Sequence, residues 1–170
     1  MIHLELAASN EATRCYEIID MGRNFQQRQG FIQWTKEYPN FETLKQDIMD
    51  RKGFVVKVDH VIAAYMCIDF SREPAYDAID GKWRYEEKYA VVHRMAFADE
   101  FCGIGLSSTV WKLVEKHCLE NNIKYIRVDT DFSNQRMQHV LEKNGFIKCG
   151  IISFQGSGKF AYDKYLESSI

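Results

Sequence analysis

Two glycines lie close together where an alternating apolar stretch gives way to a helical pattern. The sequence FADEFCGIGLSSTVW covers residues 97–111 and places Gly103 and Gly105 directly before the helical run. Glycine has no Cβ atom, so the backbone there can turn left-handed or approach a ligand closely. The first N–H groups of the following helix have no partners within it, and they attract anions. The stretch therefore predicts either a phosphate-binding turn or a simple helix entry.

Two common glycine-rich phosphate motifs do not match this turn. A P-loop needs a lysine directly after its last glycine, but Leu106 follows Gly105. A dinucleotide fingerprint needs a third glycine three residues further on, where Ser108 stands. What remains is either a turn whose backbone donors bind an anion, with the hydroxyls of Ser107 and Ser108 in the first helical turn, or a simple helix entry.

The periodicity of apolar residues places this turn in a mixed α/β protein. Strands are predicted at 2–6, 54–58, 61–68, 88–97, 125–130, 146–154 and 159–166. Helices are predicted at about 11–21, 41–50, 105–120 and 134–143, with an irregular segment at 22–40 and a loop with one helical turn at 71–83. Ser9 or Asn10 is the predicted cap of the first helix, and Asn144-Gly145 is the predicted end of the last.

The composition limits the class of protein. The 170 residues fit one domain, residues 1–170, and the formal net charge of -2 offers no basic excess for nucleic acid. No apolar run reaches the ~20 residues of a membrane helix, and the first residues lack the basic region of a secretion signal. The five cysteines form no CxxC pair, which argues against a disulfide framework or a zinc site. They favour a reducing cytoplasm, with most thiols acting as small core residues.

Two spaced motifs give the sequence a family resemblance. The order of strand, glycine turn, long helix, strand and Asn134 resembles the GCN5-related N-acetyltransferase (GNAT) superfamily, most closely over residues 89–150. In that family a turn reading Gln/Arg-x-x-Gly-x-Gly/Ala holds the pyrophosphate of acetyl-CoA. Without gaps the motif falls on residues 102–107, where Gly105 matches. The second match is the KNGF ending at 143–146.

The resemblance implies a fold and a cofactor site. The fold is a single-domain GNAT-like one: a mixed, mostly antiparallel central sheet with a splayed β-α-β acyl-CoA site and helices on both faces. The strand edge before the turn is implied to pair with the pantetheine arm like an added strand. Acetyl-CoA is the implied co-substrate, without a metal. The implied cofactor-binding residues are Met95, Ala96, Phe97, Cys102, Gly103, Ile104, Gly105, Leu106, Ser107, Ser108 and Asn134.

The resemblance leaves the catalytic base open. Many relatives carry a glutamate on the strand before the turn, and counting along the strand puts Val91 or a neighbour there. If alternate residues of 87–97 share one face, His93 lies on it, and histidine is the residue type that titrates near neutrality. His93 is therefore the first candidate base, with a hydrogen bond in the sheet as its alternative role. Glu87 is the second candidate.

The catalytic acid is open as well. Relatives often place a tyrosine seven residues after the asparagine, and Leu141 stands at that position here. Either Tyr162 or Tyr165 donates the proton, or the CoA thiolate leaves without help, since thiols are weak bases.

The acceptor implied by the resemblance is an amine of a small molecule or peptide, with no nucleic acid or membrane partner. A homodimer is the default expectation for an oligomer. The aromatic residues expected to line the acceptor pocket are Trp34, Tyr38, Tyr65, Tyr76 and Trp83. The acids expected to attract a cationic amine are Glu73, Asp77 and Asp80.

Departures from the family pattern keep other functions open. Cys102 stands for the usual Gln or Arg and Ser107 for the last Gly or Ala, while Val91 and Leu141 stand where an acid and a tyrosine are usual. An N-acetyltransferase is the leading hypothesis. A non-catalytic acyl-CoA-binding regulatory module is the second, and an unrelated α/β binding domain is the third.

Overall fold

The computed structural model describes residues 1–154 and 156–167. Its strands are β1 (Ile2–Leu6), β2 (Gly53–Val58), β3 (Val61–Asp69), β4 (Asp80–Gly81), β5 (Ala90–Phe97), β6 (Tyr125–Asp131), β7 (Ile147–Phe154) and β8 (Ser157–Tyr165). Its α-helices are α1 (Ala12–Arg28), α2 (Phe41–Met49), α3 (Leu106–Glu120) and α4 (Gln135–Lys143). Short 3-10 turns lie at Ser9–Glu11, Pro74–Ala78 and Asp99–Phe101.

The described strands form one mixed sheet in the order β1-β2-β3-β5-β6-β8-β7-β4. β5 runs parallel to β6, with Ala90 opposite Ile126 and Val91 opposite Arg127. The pairs β1–β2, β2–β3, β6–β8, β7–β8 and β4–β7 are antiparallel. The predicted α/β class with a mixed, mostly antiparallel sheet is confirmed.

The internal contacts of the chain divide it into two compact units. The first unit is Met1–Ile68 with His93–Leu113, and the second is Asp69–Val92 with the chain from Val114 onward. That residues 1–170 make one domain therefore stays a prediction. The first unit has a core in which Cys15, Ile18 and Ile19 of α1 pack with Leu44 and Val55. The second has an aromatic core, formed by Tyr76, Trp83, Tyr89, Val91, Tyr125, Ile152 and Ala161.

Helix α1 is longer than predicted, and its start differs. The sequence predicted an irregular chain from residue 22, but the helix continues to Arg28 because polar residues on its inner face bond the loop that follows. Arg23 donates from Nε to the carbonyl of Thr35 at 2.9 Å, and Gln26 Oε1 accepts from the N–H of Trp34 at 2.9 Å. At the start, residues 9–11 form a 3-10 turn, and Glu11 accepts from the N–H of Ala8, so the predicted caps Ser9 and Asn10 are wrong.

Other local predictions hold. The β2–β3 hairpin turns at Asp59 and His60, which both have positive φ angles (47° and 73°), as a tight right-twisted hairpin requires. Helix α4 ends at Asn144 and Gly145 as expected, with Gly145 at φ +86°. Cys15, Cys67 and Cys118 are buried thiols, and burial raises the pKa of Cys15 and of Cys118 to about 12.

Strand β4 has no signal in the sequence, because two residues carry no period. Asp80 and Gly81 pair with Ile151 and Gly150 of β7. The backbones approach so closely that a Cβ atom on Gly81 would lie 2.3 Å from the carbonyl oxygen of Cys149. This close pairing therefore requires glycine at both positions, Gly81 and Gly150.

Replacing Ile18 by alanine tests the core of the first unit. Ile18 is fully buried, so Ile18→Ala is expected to lower the free energy of unfolding by about 2–5 kcal/mol through lost burial and a cavity. Ile32 is 70% exposed, and Ile32→Ala is expected to change it by no more than about 0.5 kcal/mol. Urea denaturation measures both, and equal losses would contradict this account of the core.

Candidate functional site

The glycine turn has left-handed backbone and open space beside it. Gly103 and Gly105 have φ angles of +79° and +78°, and a Cβ atom added to either would meet nothing within 4 Å. The glycines are therefore needed for backbone conformation and not to relieve crowding. The preceding residue is anchored, since Cys102 donates its N–H to the carbonyl of Asp99 and its thiol to that of Ala98.

Helix α3 begins directly after the turn and presents its start to solvent. Leu106 and Val110 are buried and fix one side of the first turn, while Ser107 and Ser108 are half-buried. The first N–H groups of a 15-residue helix carry its positive dipole end. Next to two exposed glycines, this end can receive an anion such as a pyrophosphate through backbone donors.

Strand β5 is interrupted by Arg94. Its φ angle is +55°, a conformation that L residues with a long side chain rarely adopt. The left-handed residue interrupts the regular strand, and the predicted sharing of one face by alternate residues of 87–97 stays a prediction. Ala96 is buried in the core of the first unit, whereas His93, Met95 and Phe97 are each half-buried.

A buried ion pair holds Arg94 in this conformation. Its Nε and one terminal nitrogen donate to the two carboxylate oxygens of Asp47 at 2.9 and 2.6 Å, and the other donates to the hydroxyl of Tyr38 at 2.7 Å. Tyr65 donates its hydroxyl to Asp47 at 2.6 Å. Burial opposes the guanidinium charge, but the hydrogen bonds to Asp47 outweigh it and raise the pKa of Arg94. The sequence does not reveal this pair, since a left-handed backbone angle at a non-glycine residue leaves no pattern.

The two candidate bases lie in different surroundings. His93 belongs to β5 and the first unit, directly before the left-handed residue. Glu87 belongs to the second unit and is exposed in the chain that precedes β5. Their catalytic roles stay predictions.

Asn134 and the residues considered for the catalytic acid have structural roles in the second unit. Asn134 caps α4, its side-chain oxygen accepting from the N–H of Met137 at 3.1 Å. Leu141 is buried. Tyr162 is buried, and its hydroxyl donates to Glu142 at 3.3 Å. Burial is the main reason that the pKa of Tyr162 rises to about 12, and the negative charge of Glu142 adds to the rise. Tyr165 packs its ring 4.6 Å from that of Tyr85.

Most aromatic residues expected to line an acceptor pocket are core residues. Trp34 and Tyr65 belong to the core of the first unit, and Tyr76 and Trp83 to that of the second. These large side chains are buried because they supply much of the apolar area of each core. Tyr38 instead bonds Arg94. The role of these five residues in lining an acceptor pocket stays a prediction.

The acidic residues named for the acceptor differ in environment. Asp77 forms a surface ion pair with Arg72, and Asp80 is exposed in β4. The side chain of Glu73 caps the 3-10 turn through the N–H of Ala75. Across the described residues, no group of three or more His, Cys, Asp or Glu side chains is placed to hold a metal ion. In the same part of the chain, every helix is too short or too polar to span a bilayer.

The second unit contains an aromatic box filled by its own arginine. The guanidinium carbon of Arg127 lies 4.5, 4.4 and 5.2 Å from the ring centres of Trp83, Tyr89 and Tyr125. One terminal nitrogen donates to the carbonyl of Tyr85 at 2.7 Å, while Nε meets no acceptor among the described residues. The cation–π contacts stabilise this charge, so the box is not free for a ligand cation.

The eight-stranded sheet with a glycine turn at the start of its long helix defines an acetyltransferase fold. A sequence model of the acetyltransferase (GNAT) family matches residues 9–146. The chain therefore belongs to the GNAT acetyltransferase family, as the sequence motifs predicted. Among curated proteins the sequence comparison finds no match.

Solved structures share this fold. An acetyltransferase of the GNAT family from Streptococcus agalactiae is 32% identical, with a TM-score of 0.91 over 98% of this chain and 96% of that one. One from Listeria monocytogenes is 20% identical, with a TM-score of 0.76 over 97% and 95%. The PaiA N-acetyltransferase from Thermoplasma acidophilum, in complex with coenzyme A, is 14% identical, with a TM-score of 0.73 over 97% and 99%.

Removing Arg94 tests whether its ion pair supports the strand. Arg94→Ala leaves Asp47 buried without its counter-charge, which is expected to lower the free energy of unfolding by roughly 3–5 kcal/mol. Arg72→Ala breaks the solvent-exposed pair with Asp77 and is expected to cost no more than about 1 kcal/mol. Guanidinium chloride denaturation of both variants provides the comparison. A loss below about 1 kcal/mol for Arg94→Ala would disprove the supporting role.

Proposed function

We propose that the chain transfers an acetyl group from acetyl-CoA directly to a primary amine of a small molecule or peptide. The observation that carries the proposal is the pair of left-handed, exposed glycines, Gly103 and Gly105, at the N-terminus of α3. Their backbone and the first turn of the helix suit a pyrophosphate. Family membership supports the chemistry. So does the aminoglycoside acetyltransferase AAC(6')-Ib, a structural neighbour solved with coenzyme A and kanamycin.

The proposed cofactor site follows the chain through the turn. Backbone groups of residues 95–97 are proposed to bind the pantetheine arm, residues 102–108 the pyrophosphate, and Asn134 a further part of the cofactor. When bound, acetyl-CoA supplies a thioester whose carbonyl carbon is open to attack by a neutral amine. A backbone N–H of β5 would polarise that carbonyl, as an oxyanion-binding donor does. The left-handed turn at Arg94 supports this role, since it re-aims the peptide groups that follow.

The amine must lose a proton, and His93 or Glu87 is proposed to accept it. His93 is half-buried beside the bend in β5, and histidine is the most frequent general base in enzymes. Glu87 is exposed and would act through water. Leu141 is apolar and buried and Tyr162 is already bonded to Glu142, so we infer that either Tyr165 donates a proton to the leaving thiolate or the thiolate leaves without help.

A non-catalytic acyl-CoA-binding module is the second candidate function. The buried Leu141 favours it, because the usual acid of the family is replaced by a core residue that cannot donate a proton. A reducing cytoplasm is the proposed compartment for either function, since all five cysteines are free thiols. A homodimer stays a prediction.

The direct test is release of CoA thiol with a panel of amines: spermidine, kanamycin, L-lysine and the peptide Gly-Gly-Lys. At least one is expected to be acetylated, with the product identified by mass spectrometry. Calorimetry measures acetyl-CoA binding in parallel. Binding without acetylation of any amine would favour the non-catalytic module, and no binding would disprove the proposed cofactor site.

Gly105→Ala tests the phosphate turn. Alanine is strained by roughly 1–2 kcal/mol at a φ of +78°, and its methyl group enters the space proposed for the pyrophosphate. The dissociation constant for acetyl-CoA is expected to rise about tenfold, equivalent to ~1.4 kcal/mol. Gly30→Ala is the matched control, because Gly30 has φ +86° and equally open surroundings. The same rise in both variants would contradict a local effect on the cofactor.

Separate replacement of the two candidates identifies the base. His93→Ala or Glu87→Gln, whichever removes the base, is expected to lower kcat by roughly 10²–10⁴-fold while acetyl-CoA affinity stays within twofold. His139→Ala removes an exposed histidine from α4 and serves as the control for kcat. An unchanged kcat in both test variants would exclude both residues as the base.

A further inference from the structure

Three tyrosine hydroxyls in the described chain each donate a short hydrogen bond to an aspartate. The distances are 2.6 Å for Tyr65–Asp47, 2.5 Å for Tyr125–Asp163 and 2.6 Å for Tyr76–Asp129. All three tyrosines are fully buried. The surroundings of the three carboxylates are what distinguish the pairs.

Two of the three carboxylates are neutralised by an arginine of the same unit. Asp47 receives two hydrogen bonds from Arg94. Asp163 receives one from Nε of Arg84 at 2.6 Å and another from the backbone N–H of that residue at 3.0 Å. Both oxygens of each carboxylate are therefore bonded, which is what buried charges require.

Asp129 has no such counter-charge. Within the described residues no cation lies at ion-pair distance from it, and Oδ1 accepts no side-chain hydrogen bond. Lys159, whose charge acts on Asp129, forms its ion pair with Asp131 at 3.3 Å. Burial raises the pKa of Asp129, the hydrogen bond from Tyr76 and the charge of Lys159 oppose that rise, and Glu73 adds to it. The residue nevertheless remains partly accessible to solvent.

Arg127, two residues earlier in β6, does not serve as the missing partner. Its guanidinium is held among Trp83, Tyr89 and Tyr125, and it donates to the carbonyl of Tyr85. An internal cation is thus present in this unit, but aromatic rings hold it away from the carboxylate.

The backbone of Tyr76 is held by two hydrogen bonds. Its N–H donates to the carbonyl of Glu73 at 3.0 Å, and its own carbonyl accepts from Nε1 of Trp83 at 2.8 Å. Burial, and then the charge of Asp129, raise the pKa of Tyr76 well above its ordinary value. The hydroxyl therefore remains a donor at every working pH, and it orients one carboxylate oxygen while leaving the other available.

We propose that Oδ1 of Asp129, with the carboxylate oriented by Tyr76, binds a cationic amino group of the acceptor in the second unit. The ammonium would supply the charge and the N–H donors that arginines supply to Asp47 and Asp163. The identification of this amine with the acetyl acceptor rests on the proposed function. The proposed substrate class is thus an amine that carries a positively charged amino group at the position bound by Asp129.

Carbon-13 NMR of the wild-type protein tests the subsite without relying on activity. The side-chain carboxyl carbon of Asp129 is assigned through its backbone and followed while each amine of the panel is added. At least one amine is expected to shift the resonance and lower the pKa of Asp129, with the resonance of exposed Asp50 unmoved. No shift at Asp129 with any of the four amines would overturn the proposal.

Kinetics provide the second readout, using the amine that is acetylated fastest. Asp129→Asn keeps an acceptor for the Tyr76 hydroxyl but removes the charge, so KM for the amine is expected to rise about tenfold. KM for acetyl-CoA is expected to stay within twofold, and Asp129→Glu to recover part of the amine affinity. Asp50→Asn is the control. No loss of stability is expected for Asp129→Asn, because the ionised carboxylate lacks a counter-charge.

The pH dependence gives the sign of the effect. KM for the amine is expected to rise in the wild type as pH falls through the pKa of Asp129, which lies above the ordinary ~3.9 of aspartate. This dependence should vanish in Asp129→Asn. An acetylated amine whose KM is equal in wild type and Asp129→Asn would overturn the subsite and leave the proposed function standing. Absence of any acetylation would refute the proposed function, and the NMR titration would still decide the subsite.

Discussion

The buried ion pair between Arg94 and Asp47 is the constraint on which the candidate cofactor edge depends. A left-handed non-glycine residue inside a strand costs roughly 1–2 kcal/mol, and it persists only where surrounding contacts require it. Arg94 meets that condition through three hydrogen bonds to side chains of α2 and of the loop before it. Beyond Arg94, Ala96 lies in the core, whereas Met95 and Phe97 are half-buried. The same hydrogen bonds therefore stabilise the strained backbone of β5 and attach α2 to it.

The tyrosine–aspartate pairs show how the same chemistry can stabilise a fold or leave a group free to act. Where an arginine completes the pair, both oxygens of the carboxylate are hydrogen-bonded and the charge is neutralised. Where it is missing, the carboxylate keeps a bonding position and an elevated pKa. Because Tyr76 and Asp129 are distant in sequence, this difference depends on the 3-10 turn at Pro74–Ala78 and on the aromatic core that fixes it.

The sequence was informative where a residue type and its spacing determine structure, and uninformative where structure depends on a distant partner. Gly103 and Gly105, the Asp59-His60 hairpin and the Asn144-Gly145 helix end were all predictable, because backbone angle follows from local residue type. The extension of α1 was not, since Arg23 and Gln26 break the apolar period and act through loop carbonyls. The bend at Arg94 and the open carboxylate of Asp129 were hidden for the same reason: each is defined by contacts tens of residues away in the chain.

The glycines of this chain are subject to two different kinds of constraint. Gly81 has no room for a methyl group against the backbone of β7, so no side chain at all is tolerated there without displacing β4. Gly103 and Gly105 have free space and only an unusual φ angle, which asparagine and aspartate also accept. Among related sequences, drift at the first position is limited by folding itself. Folding alone does not require glycine at the other two positions, so glycine retained there in related sequences would indicate selection for binding a ligand.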